Sequence, residues 1–400
     1  MSYSGTDTTH DDYVLRIAWV AHGGAGPDTG PAAIRYMQDL LPQGQFTMAD
    51  SLPDIILFMS GGSERMAIEA ADPDRPVLLL SIRGNNAYAA ATEVMAWMIS
   101  NGRVALLSDA ADAAETGLID RWRKVAGAWQ RLSGSKAGLI GSVSEWLVAS
   151  GVSPFVLSHR FGVDLEEIPW NSMPDFAGVE PDKTLMDRFA GYDTPGLKEA
   201  AQVLTVLRGV IEERELRAVA VECFSLVQQR KVTACLALAQ LNTEGTVAAC
   251  EGDLASMAGM LMIKAFTGHV PWMANTTRIN RVGVILSHCT AGFDLVSNIS
   301  LPTHYETGQS LAVDGMIDAS LVTLFRLDDR LQRAFIAEGR VSSHPRITDV
   351  CRTQVEIELP ANLLELLRSR PLGNHLLMIP GRHSELLGLM LKYKAIEFIT

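Results

Sequence analysis

The chain has 400 residues, 48% hydrophobic and 20% charged. That is enough to fill two or three cores, and it excludes a disordered tail. A formal net charge of −12 repels phosphate backbones and anionic lipid heads, so neither nucleic acid nor a membrane is expected as a partner. The five cysteines, Cys223, Cys235, Cys250, Cys289 and Cys351, contain no CxxC pair. Such a scattered set is neither a disulfide framework nor a zinc ribbon, and at least four of the five read as small buried hydrophobes in a reducing cytoplasm. Residues 1–12 are polar, carry Asp7, Asp11 and Asp12, and have neither a signal-peptide nor a transit-peptide pattern. No uncharged apolar run is long enough to span a bilayer.

The first third alternates short apolar runs with helical spacing. Strands are predicted at Arg16–His22, Asp54–Ser60, Pro76–Ile82 and Arg103–Ser108, with helices at Ala32–Leu41 and Ala87–Ser100 between them. This alternation implies a parallel sheet covered on both faces. The strand ends carry HGGAG (His22–Gly26), SGGSE (Ser60–Glu64) and RGNN (Arg83–Asn86). The first could cradle a phosphate, but it lacks the GxGxxG spacing and a following GK[ST], so tight turns into helices are the plainer reading.

A helical stretch, Ala110–Leu132, leads to a second α/β unit. Its predicted elements are a strand at Lys136–Gly141, a helix at Ser144–Ser150, an amphipathic helix at Leu197–Leu216, strands at Ala218–Leu226 and Val232–Leu238, and a helix from Gly252 to Phe266 stopped by Gly268. Beyond residue 269 β-branched runs take over, at Val282–Ser287, Ser310–Val313, Leu321–Leu327 and Thr353–Leu359, which predicts an antiparallel sheet or barrel. A strand (Leu376–Ile379), a helix (Ser384–Lys394) and a strand (Ala395–Ile399) follow. The expected fold class is therefore two parallel-sheet α/β domains, 1–135 and 136–268, then a β-rich, barrel-like domain, 269–400.

Four segments put polar side chains at the ends of apolar runs: ACEGD (Ala249–Asp253), WMANTTRIN (Trp272–Asn280), LSHCT (Leu286–Thr290) and PLGNH (Pro371–His375). Strand ends are where layered α/β proteins build their sites. Read alone, Glu251 also fits a helix-dipole role, His375 a hydrogen-bonded turn, His288 a core position and Asn275 a backbone-bonding turn.

Six segments in one order resemble the L-fucose isomerase/L-arabinose isomerase superfamily, and most nearly its short fucose-isomerase-like branch. They are GLIGSVSEWLVAS (Gly138–Ser150), TACLALAQLNTEGTVAACEGDLASMAGMLM (Thr233–Met262), TGHVPWMANT (Thr267–Thr276), LSHCTAG (Leu286–Gly292), CRTQVEIEL (Cys351–Leu359) and PLGNHLLMIPGRHSELL (Pro371–Leu387). The N-terminal third matches more loosely, mainly at NNAYAAATEVMAW (Asn85–Trp97). The resemblance implies aldose–ketose isomerisation with a divalent metal, most often Mn²⁺. It also implies a homo-oligomer, trimer or hexamer, with sites near subunit boundaries. Carried over, the ligands are Glu251, His375 and, from the arabinose branch, His288. The fucose-branch aspartate falls on Asn275, which can offer a carbonyl oxygen to a cation but cannot act as a base.

Isomerisation moves a proton between C1 and C2, so a carboxylate must carry it. Glu251 and Glu306 are the candidates, with Asp253 and Glu222 behind them; Glu306 also fits a solvated loop. Trp146, Arg278, Arg352 and Asn374 are candidate sugar contacts, and either arginine suits an anionic substituent. In the fucose branch a tryptophan reaches the sugar of a neighbouring subunit; Trp146 is the candidate here, with a buried core position as its plainer reading. The expected substrate is a pentose, a hexose or a deoxy, phosphorylated or sulfonated sugar. The alternatives are a non-catalytic carbohydrate-binding or regulatory homologue and a metal-assisted sugar aldolase or lyase.

Overall fold

A computed structural model of the chain describes residues 12–192 and 194–399; the segment read for targeting signals lies, apart from Asp12, outside them. The described residues gather into two compact units. One runs to Gln130 and takes in Leu389–Ala395; the other is Arg131–Gly388 with the chain from Ile396 onward. No helix among the described residues is long and apolar enough to cross a membrane.

The first unit holds strands β1 (Leu15–Val20), β2 (Phe46–Met48), β3 (Ile55–Phe58), β4 (Val77–Ser81) and β5 (Ala105–Asp109). They form a parallel sheet in the order β2-β1-β3-β4-β5. Every residue of β3 and β4 is buried, as a central parallel strand under helices on both faces must be. Each fully buried Leu, Ile or Phe there contributes roughly 1.5–3 kcal/mol. The helix Ala87–Ser100 packs Ala87, Ala91, Val94 and Met98 into the same core as Val20, Phe58 and Leu79. The edge strand β2 has three residues, too few to show a period in the sequence.

The second unit opens with β6 (Ser135–Ile140), β7 (Val163–Ile168), β8 (Leu216–Val221) and β9 (Val247–Cys250), a parallel sheet in the order β7-β6-β8-β9. The strands β10 (Trp272–Ile279), β11 (Gly283–His288), β12 (Val296–Ser300), β13 (Asp314–Ile317), β14 (Leu321–Leu327), β15 (Arg333–Ser343), β16 (Thr353–Glu358), β17 (His375–Pro380) and β18 (Glu397–Phe398) follow. Six of these close on themselves in the order β14-β17-β10-β11-β16-β15, with β15 pairing back to β14. All neighbours within the ring are antiparallel, and closure removes the exposed sheet edges. β18 adds in parallel to β15, and β12 and β13 pair separately. The two α/β sheets and antiparallel barrel expected from the sequence are the architecture found.

Four local expectations are corrected. Val232–Leu238, read as a strand, leads into the helix Cys235–Thr243, which is buried from Cys235 to Asn242. A helix buried all round has no polar face, so its period cannot be told from a strand's. The run Ala218–Leu226 is strand only to Val221, and Phe224 starts a helix. Ser144–Ser150 is two turns rather than a helix, closed by Leu147 N donating to Ser144 O and Ser150 N to Leu147 O. Ser310–Val313 is irregular.

The helix Leu254–Thr267 joins this unit's two sheets. Asp253 caps it, accepting from Ser256 N at 2.7 Å, and Gly268 ends it in the left-handed region at φ 75°. Residues Leu254–Ile263 are all buried. At Gly259 a β-carbon would come 2.7 Å from Leu377 Cδ1, so the absent side chain lets the helix close onto β17.

Candidate metal centre

Three side chains converge in the second unit. Glu251 sits in the turn after β9, with its own φ at 59° and Gly252 at 67°. Left-handed backbone costs a residue with a β-carbon about 1–2 kcal/mol, so the turn must be held. Glu251 O accepts from Ser144 N at 3.1 Å, and Gly252 N donates to Val221 O at 3.0 Å. These bonds tie the turn to the loop after β6 and to the end of β8. His288 ends β11, and His375 begins β17.

His288 Nε2 and His375 Nε2 each lie 3.6 Å from the same oxygen, Glu251 Oε1, and the two rings are edge-to-face at 5.5 Å. One potential ligand atom from each residue lies within 4.8 Å of the others. Two bonds of about 2.1 Å meeting at about 120° span about 3.6 Å, which matches each histidine-to-glutamate gap. Both Nε2 atoms are buried and have no hydrogen-bond partner, a costly condition for a polar atom. The far nitrogens are held: His288 Nδ1 pairs with Thr290 Oγ1 at 3.0 Å and His375 Nδ1 with Asp253 Oδ2 at 2.8 Å. A carboxylate only accepts, so His375 Nδ1 carries a hydrogen, and Nε2 is the nitrogen left to bind a cation once its own proton is gone. A ligand histidine fixed through its other nitrogen is the usual support of a metal site. The residues present fit a divalent cation held by two imidazoles and a carboxylate, with coordination positions left open.

Asp253 is fully buried and also accepts from Ser256 Oγ at 2.8 Å and from Arg326 Nη1 at 3.0 Å. Arg326, 1% exposed, donates Nη2 to Ser150 Oγ at 2.8 Å. At Gly373 a β-carbon would stand 2.5 Å from the guanidinium, so only glycine leaves room for it. Burial pushes the Asp253 carboxyl up, but Arg326 and His375 outweigh that and hold it well below the usual range. Burial likewise opposes the Glu251 charge, and His288 and His375 together bring that carboxyl well below its ordinary value. For His375 burial acts downward, yet the bond to Asp253 and the nearby negative charges of Asp253 and Glu251 carry it up to about 9.

Trp146 is half-exposed and donates Nε1 to Glu251 Oε2 at 2.7 Å. Its ring meets Phe224 edge-on at 4.8 Å, and Phe224 meets His304 edge-on at 6.0 Å. Glu306 follows on the same loop as His304, with Oε2 3.9 Å from His304 Nε2. Burial and then the charge of Glu251 push the Glu306 carboxyl up.

The other nominated residues have partners of their own or face solvent. Asn275 pairs across the sheet with His375, but its Oδ1 takes a bond from Asn374 Nδ2, and its Nδ2 faces Cys351 Sγ at 3.9 Å. Asn374 Oδ1 and O accept from Thr276 N and Oγ1. Arg352 donates to Thr303 O at 2.9 Å and lies over the Tyr305 ring. Arg278 is exposed beyond a bulge in β10. Glu222 is committed to Trp170 Nε1 and Ser225 N. All five cysteines are free and buried, with Cys223 Sγ and Cys250 Sγ 3.3 Å apart.

Sequence reasoning missed Thr290, Ser150, Ser256, Arg326 and His304, and weighed Asp253 only as a substitute acid. Arg326 does leave a signal, being the one charge inside the apolar strand LVTLFRL. A buried arginine needs an anion, and Asp253 is the buried acid that meets it.

The fold and these side chains define a class: a layered α/β protein whose central sheet and antiparallel barrel build a buried Glu–His–His site able to hold a metal ion. Over 177 residues, 42% of its length, the chain is 25% identical to sulfoquinovose isomerase from Priestia aryabhattai, and to the same extent to sulfoquinovose isomerase from Priestia megaterium. The match spans 39% of each of those relatives. No protein-family model matches the chain.

Proposed function

We propose that this protein is a metal-dependent aldose–ketose isomerase of sugars, working in the cytoplasm, with Mn²⁺ held by Glu251, His288 and His375. The observation that carries the reading is the convergence of two buried, partnerless Nε2 atoms on one oxygen of Glu251. A mixed imidazole and carboxylate set suits Mn²⁺ better than Ca²⁺, whose ligands are oxygens. The likeness to sulfoquinovose isomerase supports the reaction class and puts a sulfonated hexose at the head of the substrate panel. When bound, the cation supplies Lewis-acid stabilisation of the negative charge that builds on the sugar oxygens as the C–H bond yields its proton.

The chain's own residues divide the remaining work. Trp146 N–H fixes one oxygen of Glu251 and leaves the other between the histidines. Of the two candidate proton carriers, Glu306 is the better suited. Its carboxyl is pushed up, toward the range where a base works near neutral pH, whereas that of Glu251 is pulled down. Arg278, exposed and without an ion-pair partner among the described residues, is assigned to an anionic substituent, and Arg352 to bracing the Glu306 loop. Trp146, bonded to Glu251, and Val148, two residues on, expose apolar surface, which supports a homo-oligomer, trimer or hexamer, with a partner copy covering it. Asn275, whose oxygen is taken by Asn374, favours one other reading: a sugar-binding protein that holds metal without turnover.

The test is metal analysis of the purified protein, followed by NMR of C2-proton exchange into deuterated water across pentoses, hexoses, 6-phosphates and sulfoquinovose. Exchange is expected with at least one sugar, and Glu251→Gln should lose both metal and exchange while melting as one folded species. Exchange surviving in that variant overturns the assignment. Tight metal with no exchange of any sugar selects the binding protein.

A further inference from the structure

We infer that His304 is a positioning residue that orients Glu306 toward the sugar, so that the site has an acid–base half separate from its metal half. The inference rests on the reading above that Glu306 carries the proton.

The loop between β12 and β13 is fastened at both ends. Arg352 Nε donates to Thr303 O at 2.9 Å, Ala312 N to Pro302 O at 2.9 Å, and Thr233 Oγ1 to Leu311 O at 2.6 Å. Within it His304 N donates to Gln309 O, and Gly308 N returns to His304 O. His304 is 6% exposed while its neighbours Thr303 and Glu306 are exposed. The loop therefore tucks an imidazole inward and leaves a carboxylate out. The ring rests edge-on to Phe224, the aromatic that also backs Trp146 at Glu251.

The bonds around the ring set its tautomer. The Thr307 hydroxyl accepts from Gln309 N at 3.3 Å, so its own hydrogen is free to go to His304 Nδ1, 3.2 Å away. A neutral ring that accepts at Nδ1 carries its hydrogen on Nε2. Burial keeps the ring neutral by lowering its affinity for a proton. The Nε2–H then faces Glu306 Oε2 at 3.9 Å, a gap that a rotation of the exposed glutamate side chain closes. Catalytic hydrogen bonds are commonly this long before substrate arrives. The titratable and charged groups acting on the pair from the packed elements are Glu251, His288, Cys289 and Arg352.

The experiment compares His304→Phe, which keeps a ring against Phe224 but has no N–H, with His304→Gln, which keeps a donor but no ring. Both are measured in the full-length, Mn²⁺-loaded protein, with metal content and melting as controls. For His304→Phe we expect unchanged metal content, a roughly ten- to hundredfold fall in kcat from the lost bond to a charged acceptor, and little change in KM. The acid limb of its pH–rate profile should move to higher pH, because the carboxylate has lost a donor. His304→Gln should recover part of both effects. Adding Glu306→Gln to His304→Phe should cost no more than Glu306→Gln alone, as for residues that act as a unit. An active wild type with an unchanged His304→Phe profile, or with additive losses, overturns this inference and leaves the isomerase reading standing. A wild type inactive on every sugar overturns both.

Discussion

Asp253→Asn tests how the metal centre is held together. The substitution keeps the shape, the helix cap and an oxygen for Ser256 N, but removes the charge that His375 Nδ1 and Arg326 share. Losing an outer partner of a ligand histidine costs metal affinity about 10- to 100-fold, or roughly 1.4–2.7 kcal/mol. The guanidinium, 1% exposed, would also lose its counter-charge. Stranding a buried charge costs about 3–5 kcal/mol, and the surviving amide oxygen argues for the lower end, about 3. At about 2–4 °C per kcal/mol for a unit of this size, the metal-free protein should melt about 6–12 °C lower. The assays are competition for Mn²⁺ against a fluorescent chelator and calorimetry of the metal-free chain. Because the Asp253 carboxyl is held below its ordinary value, its stabilisation is complete above about pH 4 and is lost as pH falls further; the variant should lack that acid-side loss. Wild-type metal affinity in a variant that melts early would refute the claim that Asp253 orients His375, leaving it only a partner for Arg326.

His375, raised to about 9 in the metal-free chain, gives a second test. Its contribution to metal-free stability is complete below the usual 6.5 and drains away as pH rises through about 9. Metal affinity should climb over the same window, because the ring must lose its proton to bind; thermal melts and Mn²⁺ titrations at several pH values read both, and flat curves count against His375 as a ligand. Gly252→Ala places a β-carbon 2.2 Å from Ser142 O at φ 67°. It should cost more than the ~1–2 kcal/mol of left-handed backbone alone and release metal as it destabilises, which calorimetry with and without Mn²⁺ can check.

The architecture is legible because its strands obey simple periods. The runs Ile55–Phe58 and Val77–Leu80 are continuously apolar, as buried parallel strands are, and Leu321–Leu327 falls on its predicted bounds. Glu251, His288 and His375 stand out because each is polar at the end of an apolar run, and the fold does bring these three together. What supports them is harder to see. Asp253 falls inside the helix expected from Gly252 but caps it instead, and nothing in one dimension says that its second oxygen reaches His375 and Arg326. His304 sits in an irregular loop, where no period marks a side chain as buried. The helix Cys235–Thr243 and the turns at Ser144–Ser150 fail for the opposite reason: their patterns fit more than one local structure, and packing makes the choice.

The excursion of Leu389–Ala395 into the first unit has a consequence for how the chain can be assembled. Tyr393 lies 5.0 Å from the buried Trp122 ring, and Lys394 stands 4.8 Å over Trp129. The leading sheet therefore emerges from the ribosome with that part of its helical cover still unsynthesised. A fragment cut after Gln130 should expose both tryptophans and stick to chaperones, whereas a synthetic 389–395 peptide supplied in trans has a place waiting for it.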